Sequence, residues 1–321
     1  MLQKSKHYKI IIGYLFAICA TAIWSGNFIV ARGLHQSIPP ISLAFWRWFV
    51  AVVVFLPFAL KSLIDEWNSV RKNIIYLSVT ALLGVTIFNT LIYFAGRTTT
   101  AINLSLISLS FPIFIIILSR IFFKELMTVK KGIGILIVVT GVLLLITRGD
   151  FSNLMDISFA IGDIWMLIAA IIFAIYSILV KNKPENLSIR GFQLSTFILG
   201  LIFLFPFFIW EQVTYHFVNL GKTTVLAILY VGIFASFTAF ILWNKSIVMI
   251  GPSKAGMIYY ALPVFSGILA HLFLDENIRA IHFFSMLLIF SGIITSNRAS
   301  KVKPKIVSNM DGDSAGPHLP R

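Results

Sequence analysis

Residues Gly13–Arg32 read GYLFAICATAIWSGNFIVAR, and residues Gly162–Lys181 read GDIWMLIAAIIFAIYSILVK. Each stretch is apolar for about twenty residues, the length that an α-helix needs to cross the hydrocarbon core of a bilayer. The second stretch aligns with the first at an offset of 149 residues, which places Trp24 on Phe173 and Arg32 on Lys181. These two segments predict a helical membrane protein that is built from a repeated unit.

The composition of the whole chain excludes a soluble globular protein. Of its 321 residues, 58% are hydrophobic and 12% are charged, against about 45–50% and about 25% in soluble domains. The mean hydropathy is +0.92. The first apolar segment is too long to be the core of a cleaved signal peptide, and the single cysteine, Cys19, excludes an internal disulfide.

We predict an all-α membrane protein with ten transmembrane helices, arranged as two inverted five-helix repeats. The ten predicted spans are residues 10–31, 42–60, 74–96, 100–119, 132–147, 162–180, 192–210, 223–244, 255–274 and 281–297. Residues 1–9 are expected to be a cytoplasmic N-terminus, 10–147 the first repeat, 148–161 an external linker, 162–297 the second repeat and 298–321 a disordered cytoplasmic tail.

The repeat continues through the later spans of each half. After a two-residue insertion the offset becomes 151, which places Pro112 on Pro263 and Glu125 on Glu276. Because each predicted repeat has an odd number of spans, the two repeats must cross the membrane in opposite senses. In secondary transporters, inverted repeats place the substrate site at their interface, near the bilayer midplane.

The net charge of +14 could indicate nucleic-acid binding, but its distribution follows the predicted topology instead. Twenty of the 26 Lys and Arg residues fall on one side of the predicted spans, five fall on the other, and Arg47 lies within a span. Loops that are rich in Lys and Arg stay in the cytoplasm. The count therefore predicts cytoplasmic termini at both ends and argues against a nucleic-acid partner.

Several motifs fit one known family. They are YVGIFAS at Tyr230–Ser236, LWNK at Leu242–Lys245, GPSKA at Gly251–Ala255, and the proline-containing spans that end in FKE at Phe123–Glu125 and LDE at Leu274–Glu276. Together with the two five-span repeats, these motifs resemble the EamA family of the drug/metabolite transporter superfamily, over about residues 10–298. The resemblance implies a carrier in the cytoplasmic membrane, often an exporter of amino acids or other small metabolites.

Arg47 is the one clear cation inside a predicted span. Arginine within the bilayer costs about 2.5–3.5 kcal/mol on insertion scales, so its side chain must face a cavity, pair with another group or extend to the interface. Its position near the start of the second span allows two interpretations. The side chain either snorkels to the interface between Trp46 and Trp48, or it binds a carboxylate on the transport path.

Polar and aromatic residues recur on otherwise apolar helices. Asn89 and Tyr93 are spaced i, i+4 on the third span and therefore share a face. Such groups either hydrogen-bond between packed helices or line an amphipathic cavity for small apolar or aromatic solutes. The candidate substrate-binding residues are Trp24, Asn27, Arg47, Asn89, Tyr93, Tyr176, Trp243, Asn244, Tyr259 and Tyr260.

Pro112 and Pro263 are predicted to interrupt helices at matched positions, either as static kinks or as hinges. The small residues Gly134 and Gly141 align with Ser285 and Gly292, and they indicate close helix packing or a dimer seam. His271 and His282 are expected to be buried and neutral. No metal-binding spacing occurs in the sequence, so neither a metal nor a cofactor is predicted.

We interpret the chain as a secondary transporter that moves a small organic metabolite, an amino acid or a similar amphipathic solute, across the inner membrane by alternating access, in the export direction. The expected partners are the solute and the lipid bilayer, and the sequence leaves open whether the protein is a monomer or a homodimer. The alternatives are an importer or exchanger of a nucleotide-like metabolite and a membrane-embedded enzyme. No carboxylate is placed in the middle of a predicted span, which favours a facilitator or exchanger over proton coupling.

Overall fold

A computed structural model describes residues 2–34, 37–99, 104, 107–125, 127–147, 160–215, 221–265, 268 and 280–298. Within these ranges the side chains of residues 2–7, 28, 29, 32, 145, 146, 215, 282 and 298 are not described. The predicted linker at 148–161, apart from its last two residues, and the predicted tail beyond Arg298 lie outside the described residues.

The described chain is helical and contains no β-strand. Its helices are α1 (Leu2–Gly33), α2 (Pro40–Asp65), α3 (Trp67–Lys72), α4 (Ile74–Thr98), α5 (Phe111–Phe123), α6 (Val129–Thr147), α7 (Ile161–Lys181), α8 (Ile189–Tyr215), α9 (Lys222–Ile250), α10 (Pro252–Tyr259) and α11 (Ala280–Arg298). Two of them contain a π-helical segment, Leu82–Ile87 in α4 and Tyr230–Thr238 in α9.

Six of these helices are long and apolar enough to cross a membrane: α1, α2, α4, α7, α8 and α9. The predicted fourth and ninth spans are described only in part. The prediction of an all-helical fold is therefore confirmed for the described residues, whereas the count of ten spans stays a prediction.

The helix contacts repeat when the two halves of the chain are exchanged. Helix α1 packs against α9, and its counterpart α7 packs against α4, the counterpart of α9. The pairs α2·α8 and α6·α11 each join two counterparts, and α5·α10 joins parts of the predicted fourth and ninth spans. This pattern, together with the π-helical segments at matching places in α4 and α9, supports the predicted repeat.

Helices α6 and α11 pack closely because small residues meet on both sides. A Cβ atom added to Gly134 would lie 2.7 Å from the carbonyl oxygen of Gly292, and one added to Gly141 would lie 3.0 Å from that of Ser285. Larger side chains would force the two backbones apart. The small residues therefore form a close contact between two helices of one chain, as small-residue motifs do in membranes.

A carboxylate of α8 caps the N-terminus of α2. The backbone N–H groups of Ile41 and Ser42 donate to Glu211 at 3.1 and 2.6 Å, and the Ser42 hydroxyl donates at 2.7 Å. The first amides of a helix lack partners within the helix and favour negative charge. We expected Glu211 to lie beyond the seventh span, but α8 continues to Tyr215 and buries this carboxylate.

The same arrangement occurs at the opposite end of the α2·α8 pair. Glu66, directly after α2, accepts a hydrogen bond from the backbone N–H of Ser188 at 2.9 Å, just before α8 begins. The Ser188 hydroxyl accepts from the N–H of Gly191 at 3.0 Å, the geometry of a helix N-cap. Nearby, burial lowers the pKa of Lys183, and the negative charges of Glu66 and Glu185 oppose this shift. The two long helices are thus antiparallel, and each caps the start of the other.

The two prolines lie where helical segments begin. Pro112 is the second residue of α5, behind a turn at Leu109–Ser110, and Pro263 follows a turn at Tyr260–Ala261. Proline suits the first turn of a helix, where no intrahelical N–H bond is lost. Each proline therefore begins a new helical segment after a break in the chain, instead of kinking a continuous helix.

Replacing Glu211 by alanine should destabilise the fold by about 1–3 kcal/mol, because two backbone amides and a hydroxyl lose a charged acceptor away from water. Thermal unfolding of the purified protein in detergent measures this effect. Glu185→Ala, which removes an exposed loop carboxylate, is the control and should leave the midpoint within about 1 °C of the parent's. Equal midpoints for the two variants would contradict the capping role.

Candidate functional site

Arg47 is completely buried in the first part of α2. Its Nε donates to the Ser236 hydroxyl at 2.6 Å, and its Nη1 donates to the Tyr93 hydroxyl at 2.6 Å and to the Asn27 side-chain oxygen at 3.4 Å. The guanidinium also lies over the rings of Trp48 and Tyr93, with its carbon 5.4 and 5.6 Å from the ring centroids. We call Asn27, Arg47, Tyr93 and Ser236 the Arg47 cluster.

No carboxylate neutralises this cation among the described residues, whose one ion pair, Lys131 with Glu125, lies elsewhere. The second terminal nitrogen of Arg47, Nη2, is buried and has no hydrogen-bond partner in the part of the chain that the structure describes. A snorkelling arginine would expose its head group, so the snorkelling interpretation is wrong. The two N–H groups of Nη2 are free to donate hydrogen bonds to an anionic acceptor such as a carboxylate.

The π-helical segment of α9 supplies part of this environment. The wider π turn places the Ser236 hydroxyl where it donates to the Val231 carbonyl, five residues earlier, at 2.7 Å. The Trp24 indole N–H donates to the Ala235 carbonyl in the same segment at 2.8 Å. Single π turns inside α-helices occur frequently at functional sites, and this one connects α9 to both α1 and α2.

In the π-helical segment of α4, a side chain also donates a hydrogen bond to a carbonyl five residues earlier. The Asn89 amide donates to the carbonyl of Gly84, again five residues earlier, at 3.3 Å. The ring of Tyr176 packs directly on Gly84, where an added Cβ would lie 2.2 Å from a ring carbon. Glycine is therefore required at this position for α7 to approach α4.

A second buried polar group, the Asn244 cluster, consists of Tyr176, Gln193 and Asn244. The Asn244 amide donates to the Tyr176 hydroxyl at 2.7 Å and to the Gln193 side-chain oxygen at 3.2 Å. In the repeat, Tyr176 aligns with Asn27 at the offset of 149, and Asn244 aligns with Tyr93 at the offset of 151. Each half therefore contains one Asn–Tyr pair, with the two residue types exchanged between the halves. Since Arg47 is near the start of α2 and Gln193 near the start of α8, the clusters lie toward opposite ends of this antiparallel pair.

Aromatic rings fill the space between the two clusters. The Trp24 ring contacts the rings of Phe173, Phe240 and Trp243 at centroid distances of 5.5, 5.5 and 5.2 Å. A narrow central cleft in this region is lined by Trp24, Asn27, Phe88, Asn89, Ile92, Phe111, Phe173 and Tyr259. The cleft has room for no more than about one water molecule, so a solute can enter only if the surrounding helices separate.

Most of the predicted site residues converge on this region. Asn27, Arg47 and Tyr93 form one cluster, and Tyr176 and Asn244 belong to the other. Trp24, Asn89 and Tyr259 line the cleft, while Trp243 packs against Trp24 and approaches the Ser177 hydroxyl at 3.5 Å.

Tyr260 does not belong to this group. Its ring is buried in a separate apolar cluster with Leu109, Ile116 and Val264, on the side of the bundle that faces α11. Neighbouring residues on a helix point in different directions, and Tyr259 is the one directed to the cleft. His271 and Glu276 are outside the described residues, and so is the side chain of His282. The described part of the chain contains no group of three potential metal ligands.

Sequence reasoning missed three kinds of contributor. Ser236 and Gln193 carried a usable signal, because each is a polar residue within a predicted apolar span. The lining phenylalanines Phe88, Phe111 and Phe173 had no distinguishing signal among the 30 phenylalanines of the chain. The π-helical segments were also missed, because the hydrophobic pattern of an α-helix does not register one extra residue per turn.

Each half of the chain matches the same family model. The model described as the EamA-like transporter family matches the chain twice, at residues 11–147 and 160–298. The chain belongs to the EamA-like transporter family. The two matches correspond closely to the two halves predicted from the offsets.

Relatives of this EamA-like chain are named as transporters. The chain is 24% identical to the uncharacterized transporter YyaM of Bacillus subtilis, over 92% of this chain and 96% of the relative. It is 26% identical to an uncharacterized transporter of Archaeoglobus fulgidus, over 82% and 90%. A protein crystal structure of 17% sequence identity shares the fold, with a TM-score of 0.68 over 90% of this chain and 97% of the other. None of these names indicates an enzyme.

Two variants in the π-helical segment of this EamA-like protein test how Arg47 is held. Ser236→Ala leaves both the Val231 carbonyl and the Arg47 Nε without their partner, and we expect a loss of about 1–3 kcal/mol in unfolding free energy. Thr238→Val is the matched control, because the Thr238 hydroxyl also donates to a carbonyl five residues earlier, that of Ile233, at 2.9 Å, but has no hydrogen bond to Arg47. Thermal unfolding should show the larger shift for Ser236→Ala; a larger shift for Thr238→Val would contradict the proposed support of Arg47.

Proposed function

We propose that this protein is a secondary transporter for a small organic solute that carries a carboxylate and an apolar or aromatic portion, such as an amino acid. Family membership supports a general transport role. The observation that carries the choice of solute is the buried guanidinium of Arg47, whose Nη2 has no partner beside a cleft with aromatic walls.

The carboxylate is assigned to Arg47 for an electrostatic reason. A buried charge is costly unless it is paired and hydrogen-bonded. Tyr93, Asn27 and Ser236 satisfy two of the three guanidinium nitrogens but bring no formal negative charge. A solute carboxylate at Nη2 would supply both the remaining hydrogen bonds and the missing counter-charge.

The apolar portion of the solute is assigned to the aromatic cleft. Trp24, Phe173 and Tyr259 present ring faces, and Asn27 and Asn89 add amide groups at the wall. Binding sites for small molecules commonly combine apolar walls with a few polar groups that fix orientation. A phosphorylated, nucleotide-like solute fits less well, because Arg47 is the one cation beside the described cleft.

Alternating access is the transport mechanism that this proposal includes. The two halves would rock about the central cleft, with the breaks before Pro112 and Pro263 acting as hinges. Two observations support this: the matching breaks lie in counterpart helices, and the Arg47 and Asn244 clusters lie on either side of the aromatic rings. Each cluster would close one end of the path in turn.

The proposed membrane arrangement follows from the charge distribution. With ten spans, both termini would lie in the cytoplasm and the N-terminal end of α2 would face outward, and we propose the inner membrane as the location. Export is the proposed direction of net transport, from the resemblance to metabolite exporters. In this arrangement Arg47 lies toward the outer end of the path.

Replacing Arg47 by glutamine should reduce the flux of carboxylated solutes about 10- to 100-fold, the loss expected when a charge-assisted hydrogen-bonded pair worth about 1.5–3 kcal/mol is removed. Efflux from proteoliposomes, measured for a panel of amino acids and for their decarboxylated amines, gives the result. Parent and variant should differ for the acids and agree for the amines.

Arg97→Gln is the matched control, because Arg97 is an exposed arginine in the last turn of α4 and should keep parental flux. The double variant Asn89→Ala with Tyr93→Ala removes one residue of the cleft wall and one hydrogen-bond partner of Arg47, and it should lower flux at an unchanged protein level. If Arg47→Gln transports acids at the parental rate, the carboxylate assignment is wrong.

The same vesicles test how transport is coupled to energy. With a fixed solute gradient, solute flux should persist when an ionophore abolishes the proton gradient.

A further inference from the structure

A second pocket lies apart from the central cleft, between α2, the start of α8 and the later part of α9. Phe55 and Phe58 of α2, Arg190 and Gln193 of α8, and Phe237 and Lys245 of α9 form most of its lining. It shares no lining residue with the central cleft. Its location indicates a site that opens sideways from the bundle.

The charged part of the pocket is entirely cationic. Arg190 lies in the first turn of α8 and Lys245 lies five residues before the end of α9, and no acidic residue lines the pocket. Neither cation forms an ion pair among the described residues. Lys245 lies over the Phe16 ring, with Nζ 5.6 Å from the centroid, a contact that leaves its charge unneutralised.

A buried amide is directed to the same pocket. Gln193 is 0% exposed, and its side-chain nitrogen has no hydrogen-bond partner among the described residues although its oxygen accepts from Asn244. A buried N–H group without an acceptor is destabilising. An oxygen atom of a bound anion would satisfy it, beside the two cations.

The remaining wall is apolar and reaches the outside of the bundle. Phe58 is 65% exposed, whereas Phe55 behind it is buried. A soluble anion would gain nothing from these rings, but an acyl chain would. The combination of cations at a helix start with an apolar wall matches an amphiphile that lies in the bilayer with its head group at the interface.

We propose that this pocket binds an anionic phospholipid, independently of the solute that the protein transports. The head-group phosphate contacts Arg190 and Lys245 and accepts a hydrogen bond from the Gln193 amide, and one acyl chain lies along Phe55 and Phe58. The loops at this end of the helices carry most of the lysine and arginine residues, which places the lipid in the cytoplasmic leaflet. Because Gln193 also bonds Asn244, the lipid buttresses the Asn244 cluster.

The test compares the full-length protein in nanodiscs of phosphatidylglycerol with nanodiscs of phosphatidylcholine. We expect the thermal unfolding midpoint of the parent to be at least a few degrees higher in phosphatidylglycerol, as ligand binding to the folded state requires, and native mass spectrometry to retain about one phosphatidylglycerol per chain. Arg190→Gln with Lys245→Gln should remove both effects while unfolding cooperatively in phosphatidylcholine. The single variant Arg190→Lys, which keeps the charge, should retain them.

Arg71→Gln with Lys72→Gln is the matched control, since it removes two exposed cations of α3 at the same predicted side of the membrane. It should keep the preference for phosphatidylglycerol. Equal loss in this control would overturn the proposal in favour of diffuse attraction to anionic membranes. An equal midpoint rise with soluble glycerol 3-phosphate in phosphatidylcholine would overturn it in favour of a solute-anion site, and no difference between the lipids for the parent would overturn it outright.

Discussion

A buried guanidinium that meets no counter-charge among the described residues is the constraint around which this protein is organised. Within a membrane Arg47 has no access to bulk water, so its hydrogen-bond acceptors must come from the protein or from a bound solute. Three helices do so: α1 brings Asn27, α4 brings Tyr93 and α9 brings Ser236. Residues that are distant in the chain therefore meet at one side chain, and the nitrogen they leave unsatisfied defines the candidate site.

The packing of the bundle makes this arrangement possible. Glu211 and Glu66 tie α2 and α8 together at both ends, which fixes the position of Arg47 relative to the opposite half. The π-helical segments widen α4 and α9 where α7 and α2 approach them. The Asn–Tyr pairs then occur once in each half, with the residue types exchanged. Arg47 has no arginine counterpart in the second half, where Thr196 stands at the offset of 149. The two clusters therefore differ in charge although their architecture is similar.

The sequence predicted the class of fold and most of the candidate site, because span length, the repeat offsets and polar residues in apolar helices leave clear patterns. Asn27, Arg47 and Tyr93 could each be identified from the sequence. Their contact with one another could not be predicted, because the residue pattern along one helix does not specify which other helix it packs against. The predicted seventh span ends at residue 210 because the run of apolar residues stops at Glu211. In the structure α8 continues past this residue to Tyr215, where Glu211 contacts the start of α2. The neighbours Tyr259 and Tyr260 could not be told apart without knowing which way each side chain is directed.

The most direct measurement of the central claim is an experimental structure of the protein with a transported amino acid bound. We expect a carboxylate oxygen within about 3 Å of the Arg47 Nη2 and the side chain of the solute between the rings of Trp24, Phe173 and Tyr259. The helices around the cleft should be further apart than they are in this structure. A solute bound elsewhere, with Nη2 still enclosed and without an anionic partner, would contradict it.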